Sequence, residues 1–139
     1  MSVHERKFMN KSARFYLCLG AFFSFLSVMI GAFGAHALKP LISVQMMAVF
    51  NTAVQYQMFH ALALFIVGLL LHIIVSNDMQ AKRFRLVGNL FLVGIVLFCG
   101  SLYLLAITGV KILGAITPFG GLAFILGWLV LLYALYRSD

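Results

Sequence analysis

Residues 53–75 read AVQYQMFHALALFIVGLLLHIIV, an apolar run without a single Lys, Arg, Asp or Glu. A helix needs roughly 20 apolar residues to cross a bilayer, and three further runs of sufficient length occur at 15–38, 84–108 and 112–136. The sequence therefore predicts an all-α membrane protein, with residues 1–139 forming one domain that is a four-transmembrane-helix bundle.

The composition supports a protein in the lipid bilayer. Of the 139 residues 64% are hydrophobic and only 9% are charged, with a mean hydropathy of +1.09, whereas about a quarter of a soluble domain is charged. The net charge of +7 raises the question of a nucleic-acid partner. The basic residues lie in short pieces beside the apolar runs, as topology signals do, so no nucleic-acid partner is expected.

The distribution of basic residues predicts the orientation, because cytoplasmic flanks are enriched in Lys and Arg. Lys39 and Lys111 are the only basic residues on one face of the predicted topology, and eight lie on the other: Arg6, Lys7, Lys11, Arg14, Lys82, Arg83, Arg85 and Arg137. We therefore expect both termini to be cytoplasmic and residues 1–12 to form a flexible basic tail.

The segment between the first two spans is expected to contain a helix break. One helix from Ser43 to Val75 would be about 50 Å long at 1.5 Å per residue, longer than the hydrocarbon core. Thr52 with Gln55 three residues later has the pattern of a capping box. The sequence therefore predicts a short interfacial helix over 43–50, and a second span that begins at residue 53.

Polar and small residues recur at similar predicted depths in all four spans, in the outer half of the bilayer. We expect two groups there. A hypothetical ligand-binding group consists of His36, Gln57, His60, Ser101, Tyr103 and Thr117, and a helix-packing group consists of Gly31, Gly34, Gly100, Pro118, Gly120 and Gly121. Ionisable residues inside a membrane suggest function. The alternative is that these polar groups serve only to hydrogen-bond across helices and so hold the bundle together.

Enzymatic chemistry is not expected. The only acids are Glu5, Asp78 and Asp139, all outside the predicted spans, and no nucleophile–base pair or metal cluster is evident. A haem held by His36 and His60 is disfavoured because their predicted depths differ by about 6 Å. No cofactor and no metal are therefore expected.

A stripe of small residues on the first helix provides a different hypothesis. Gly20, Ser24, Ser27, Gly31 and Ala35 repeat at intervals of four and three, and such stripes let membrane helices approach closely. The protein could then be an accessory or scaffold subunit that docks a membrane-complex partner through this stripe. Separately, four short helices leave little room for an internal cavity, so a transport path could require a homo-oligomer.

Four motifs carry a family resemblance. GAFGAH at 31–36, YQMFH at 56–60, GSLY at 100–103 and TPFGG at 117–121 occur in this order. Together they resemble the domain-of-unknown-function 423 family, small inner-membrane proteins related to the eukaryotic transmembrane protein 256. The resemblance implies a four-helix protein of the bacterial inner membrane, and no established activity or catalytic residue. The sequence thus favours a non-enzymatic binding or permeation protein, with the scaffold as the alternative.

Overall fold

The computed structural model describes residues 9–137, and every regular element within them is helical. Two of these elements are π-helical turns, at Gly34–Leu38 and Ile95–Cys99. The α-helices are α1 (Lys11–Phe33), α2 (Val44–Ile73), α3 (Asp78–Gly94), α4 (Gly100–Thr108) and α5 (Thr117–Tyr136), the last preceded by a 3₁₀ turn at Lys111–Ala115.

Four stretches are long and apolar enough to cross a membrane: Lys11–Leu38, Val44–Ile73, Asp78–Thr108 and Lys111–Tyr136. The predicted four-helix architecture is confirmed. Most of the predicted tail lies outside the described residues. Its last two positions are helical, because α1 begins at Lys11 and is capped by the Asn10 side chain, which accepts from the Ser12 N–H at 3.0 Å.

The predicted interfacial helix is wrong, because α2 is continuous from Val44 to Ile73. Its N-cap is Ser43, whose side chain accepts from the Met46 N–H at 3.1 Å. The Thr52 hydroxyl donates to the Ala48 carbonyl at 3.0 Å, within the helix, and does not cap a new one. At about 1.5 Å per residue α2 exceeds the hydrocarbon core, but such a helix can tilt or extend into the headgroup region.

The helices pack in the order α1, α2, α3 with α4, and α5. The α1–α2 interface is the most extensive, α2 also packs on α3 and α4, and α5 packs on α3 and the π-helical turn after it. Among the described residues, the largest fully buried side chains are those of Phe50, Phe84 and Phe91.

The predicted small-residue stripe faces α2 and is part of the α1–α2 interface. A Cβ added at Gly20 would lie 2.6 Å from the Phe65 backbone nitrogen, and one at Gly31 would lie 3.3 Å from Val54. Ser27 is buried, and its hydroxyl donates to the Phe23 carbonyl at 2.9 Å. Most of the stripe is therefore occupied within the chain, whereas Ala35 at its end is exposed.

The beginnings of α1 and α3 and the end of α5 lie together at what we call the basic end. The Tyr16 hydroxyl donates to the Arg85 carbonyl at 3.0 Å, and the Arg83 guanidinium lies over the Tyr133 ring. The described basic residues of this end are Lys11, Arg14, Lys82, Arg83, Arg85 and Arg137. That the basic end faces the cytoplasm stays a prediction.

Candidate aromatic cleft

The buried amide of Gln57 connects three helices. Its Nε2 donates to the Phe23 carbonyl of α1 at 3.0 Å, and its Oε1 accepts from the Tyr103 hydroxyl of α4 at 2.8 Å. An unpaired amide in an apolar interior costs several kcal/mol, and here both ends of the amide are paired. Gln57 and Tyr103 therefore hold α1, α2 and α4 together.

A second polar pair joins α4 to the start of α5. The Ser101 and Thr117 hydroxyl oxygens lie 2.8 Å apart, and Ser101 also donates to the Phe98 carbonyl at 3.0 Å. Because Ser101 donates its single hydroxyl proton to the Phe98 carbonyl, its oxygen accepts the hydrogen bond that the Thr117 hydroxyl donates. Four of the six residues predicted to bind a ligand thus bond to each other in two separate pairs.

His60 is buried at 4% exposure, and both of its ring nitrogens are engaged. The Tyr56 carbonyl lies 2.8 Å from Nδ1 and can only accept, whereas the Trp128 indole N–H lies 3.1 Å from Nε2 and can only donate. This pattern assigns the neutral imidazole with its proton on Nδ1. The ring also stacks on Phe124, with centroids 3.5 Å apart. In this arrangement neither nitrogen is free to hold a metal or a haem.

His60 forms part of the wall of an aromatic cleft between α2 and α5. The cleft has a volume of about 560 Å³ and is lined by Gln55, Tyr56, Phe59, His60, Phe98, Gly121, Phe124, Ile125 and Trp128. Phe59 and Ile125 are 61% and 59% exposed, so the cleft opens sideways toward the lipid. The cleft lies near the middle of α2. The prediction that the second span begins at residue 53 instead places His60 in the outer half of the bilayer.

The π-helical turn at Ile95–Cys99 positions Phe98 between α2 and α5. The Phe98 ring lies 4.6 Å from the Tyr56 ring and 5.6 Å from the Phe124 ring, measured between centroids. Gly120 allows this approach, because a Cβ there would collide with the Phe98 backbone. π-Helical turns are rare and occur frequently at functional sites. Here the turn supplies one ring of the cleft.

Two polar groups of the cleft have no hydrogen-bond partner within residues 9–137. These are the Gln55 amide and the Tyr56 hydroxyl, and both residues are exposed at the cleft. The remaining lining residues are apolar except for His60, and none of the nine carries a charge. The cleft therefore offers several rings and two hydrogen-bonding groups to a ligand.

The other predicted residues lie apart from the cleft or play different parts. His36 is exposed in the π-helical turn after α1, and no contact joins it to His60. Gly34 accommodates the Phe50 ring, and Pro118 lies in the first turn of α5. Gly100 has open space beside it, so no close helix contact explains this glycine.

The sequence reasoning missed most of the cleft residues. Seven of its nine lining residues were not in either predicted group: Gln55, Tyr56, Phe59, Phe98, Phe124, Ile125 and Trp128. One signal was available. Trp128 is the only tryptophan of the chain and falls inside a span, although tryptophans of membrane proteins concentrate at the interfaces.

The Gln57–Tyr103 hydrogen bond is expected to contribute measurably to stability. Replacing Gln57→Leu, Tyr103→Phe and both should give a coupling free energy of about 0.6 kcal/mol, the average for interhelical hydrogen bonds in membranes. The free energy of unfolding of the four proteins in mixed micelles measures it. A coupling of zero would mean that the two side chains do not bond in the folded protein.

Comparison with known proteins agrees with this architecture. The sequence model of the family described as "Protein of unknown function (DUF423)" matches residues 30–121. The chain belongs to this family. The matched residues include Gln57, Tyr103, His60 and Phe98, and they end at Gly121 within the cleft.

Full-length membrane proteins are similar to the chain over most of its length. UPF0382 membrane protein SH2409 of Staphylococcus haemolyticus is 44% identical over 89% of this chain and 97% of its own length. UPF0382 membrane protein YwdK of Bacillus subtilis is 44% identical over 86% of this chain and 94% of its own length. No solved structure matches. The DUF423 chain described here is thus a membrane protein, and no activity is named for these relatives.

Proposed function

We propose that the protein is a non-enzymatic binding protein of the bacterial inner membrane, which holds an uncharged amphiphile in the aromatic cleft. The observation that carries the proposal is the set of rings between α2 and α5, with Gln55 and Tyr56 beside them. Ligand sites commonly enclose 300–1,000 Å³, are mostly apolar and present a few polar groups. The volume of about 560 Å³ falls within this range.

The lining favours a flat, ring-bearing ligand. Tyr56, Phe98 and Phe124 have centroids between 4.6 and 6.2 Å apart, spacings typical of aromatic packing. A planar ring entering from the lipid can stack on the exposed faces, while an oxygen of the ligand accepts from the Tyr56 hydroxyl or the Gln55 amide. A charged ligand is disfavoured, because no opposite charge lines the cleft to offset its desolvation.

The hydrogen bonds favour this ligand class over polar solutes and ions. A path for a polar solute needs unpaired polar groups along it, but Gln57 bonds to Tyr103 and Ser101 to Thr117. The scaffold alternative has less support, because Gly20 and Gly31 of its proposed docking stripe pack on α2. Binding at the cleft requires a single chain, so neither a homo-oligomer nor a complex partner is part of the proposal.

The proposal is tested by what accompanies the purified protein. We expect an organic extract of the protein, purified from its own membrane in mild detergent, to contain a ring-bearing amphiphile enriched over the bulk lipid. Gly121→Phe, which places a ring in the cleft, should remove it. Leu122→Phe is the matched control, because Leu122 is 53% exposed and does not line the cleft. Identical extracts from the three proteins would contradict the proposal.

A further inference from the structure

Two arginines at the basic end share one aromatic ring. The central guanidinium carbon of Arg83, in α3, lies 5.2 Å from the centroid of the Tyr133 ring in α5. That of Arg137, just after α5, lies 5.8 Å from the same centroid. Both distances are within the range of a cation–π contact. Arg83 also approaches the Arg137 carbonyl oxygen at 3.5 Å, which draws the end of α5 toward α3.

These two positive charges have no carboxylate partner within residues 9–137. The only acid in that range is Asp78, at the first position of α3, and no ion pair joins it to either arginine. The central carbons of the two guanidinium groups can be no farther apart than the sum of their distances to the ring. That upper limit is 11.0 Å, and an anion in contact with these groups would offset part of their uncompensated positive charge.

The chemistry of the pair selects a phosphate-type oxyanion. Guanidinium groups match phosphate oxygens with paired N–H donors, and a ring behind them holds their planes in position. The position of the two arginines in the fold indicates that the phosphate belongs to a lipid. Tyr133 is 49% exposed in the last turns of α5, and its exposed neighbours Leu132 and Tyr136 are suited to lipid at the edge of the membrane. A phospholipid can place its acyl chains along α5 and its phosphate beside the arginines.

We propose that Arg83, Arg137 and Tyr133 form a binding site for the phosphate group of an anionic phospholipid. This site is separate from the aromatic cleft and does not depend on the proposed function. A basic surface attracts an anionic membrane by charge alone. Binding at this site requires in addition the shape of the guanidinium group and the Tyr133 ring. The difference can be measured with variants that keep the charge.

The test compares retained lipids. The wild-type protein and each variant are reconstituted in vesicles of equal parts phosphatidylglycerol and phosphatidylcholine, released in mild detergent, and the bound lipids counted by native mass spectrometry. We expect one phosphatidylglycerol to be enriched on the wild type. Tyr133→Leu and Arg83→Lys leave the net charge unchanged and should each lower that enrichment about threefold, the loss expected for one cation–π contact. Arg14→Lys, on α1, should leave it unchanged.

Each contrary result overturns the proposal in a distinct way. Equal enrichment in the wild type, Tyr133→Leu and Arg83→Lys would show diffuse charge attraction only. Loss of the bound lipid on adding millimolar inorganic phosphate would show a site for free phosphate. A rise in enrichment in Asp139→Asn would show that the Asp139 carboxylate occupies the site in place of a lipid. Circular dichroism of each variant verifies that its helices are retained.

Discussion

Gly120→Ala is expected to lower the free energy of unfolding by about 3 kcal/mol, the upper part of the usual range for overpacking. A Cβ at residue 120 would collide with the backbone of Phe98, and its contact with the Phe98 Cα would be 2.7 Å. Backbone cannot rotate away as a side chain can. The start of α5 must therefore move from the π-helical turn, and the Ser101–Thr117 hydrogen bond should be lost with it.

Two neighbouring glycines provide matched controls for this prediction. A Cβ at Gly121 would lie 3.7 Å from the Phe98 ring, an ordinary contact, and one at Gly100 would meet nothing within 4 Å. Replacing Gly by Ala inside a helix raises the free energy of unfolding by up to about 1 kcal/mol. Gly121→Ala and Gly100→Ala should therefore match or exceed the wild type. Unfolding in mixed micelles measures all three, and equal stability of Gly120→Ala and Gly121→Ala would show that α5 is not seated on Phe98.

The four spans could be predicted because apolar length decides them. Each crossing needs a long run without charge, and the sequence contains four. The start of α2 could not be predicted in the same way. Thr52 and Gln55 have the letters of a capping box, but the Thr52 hydroxyl bonds within the helix and Ser43 is the cap. The length of the hydrocarbon core does not limit a helix that can tilt.

The candidate site was predicted only in part, because helix rotation decides it. The sequence singled out Gln57, Ser101 and Tyr103 as buried polar groups. It did not show that Gln57 bonds to Tyr103 and Ser101 to Thr117, since spacing along one helix leaves its rotation against its neighbours open.

The π-helical turn is the other reason why the cleft was missed. The residues of Ile95–Cys99 are apolar and read as ordinary helix. The extra residue in the turn changes the direction of every side chain that follows it. The aromatic side chains of α5 likewise have the pattern of a lipid-facing helix, and only their meeting with Phe98 and Tyr56 forms a cleft.

Loss of ligand binding on filling the cleft is the second large effect that we expect. Gly121→Phe should weaken binding of a ring-bearing amphiphile at least about tenfold, because the new ring occupies the space in which the ligand would stack. Leu122→Phe should bind as the wild type does. Tyr56→Phe should weaken binding about fivefold, the usual effect of one lost hydrogen bond, and so identifies the polar contact.

Trp128 makes the cleft directly observable. It is the only tryptophan in the chain and lines the cleft, so its fluorescence reports on a ligand bound there. The probe is a benzoquinone with a decyl chain, which has a planar quenching ring and two carbonyl oxygens. Decanol, with the same chain and no ring, is the matched control probe.

The decisive measurement is the titration of Trp128 fluorescence with this quinone in vesicles that contain the wild type, Gly121→Phe or Leu122→Phe. The proposal predicts saturable quenching of the wild type and of Leu122→Phe, a curve shifted at least about tenfold for Gly121→Phe, and no quenching by decanol. Quenching that rises linearly and equally in all three proteins would contradict it, because the quinone would then reach Trp128 only by collision from the lipid.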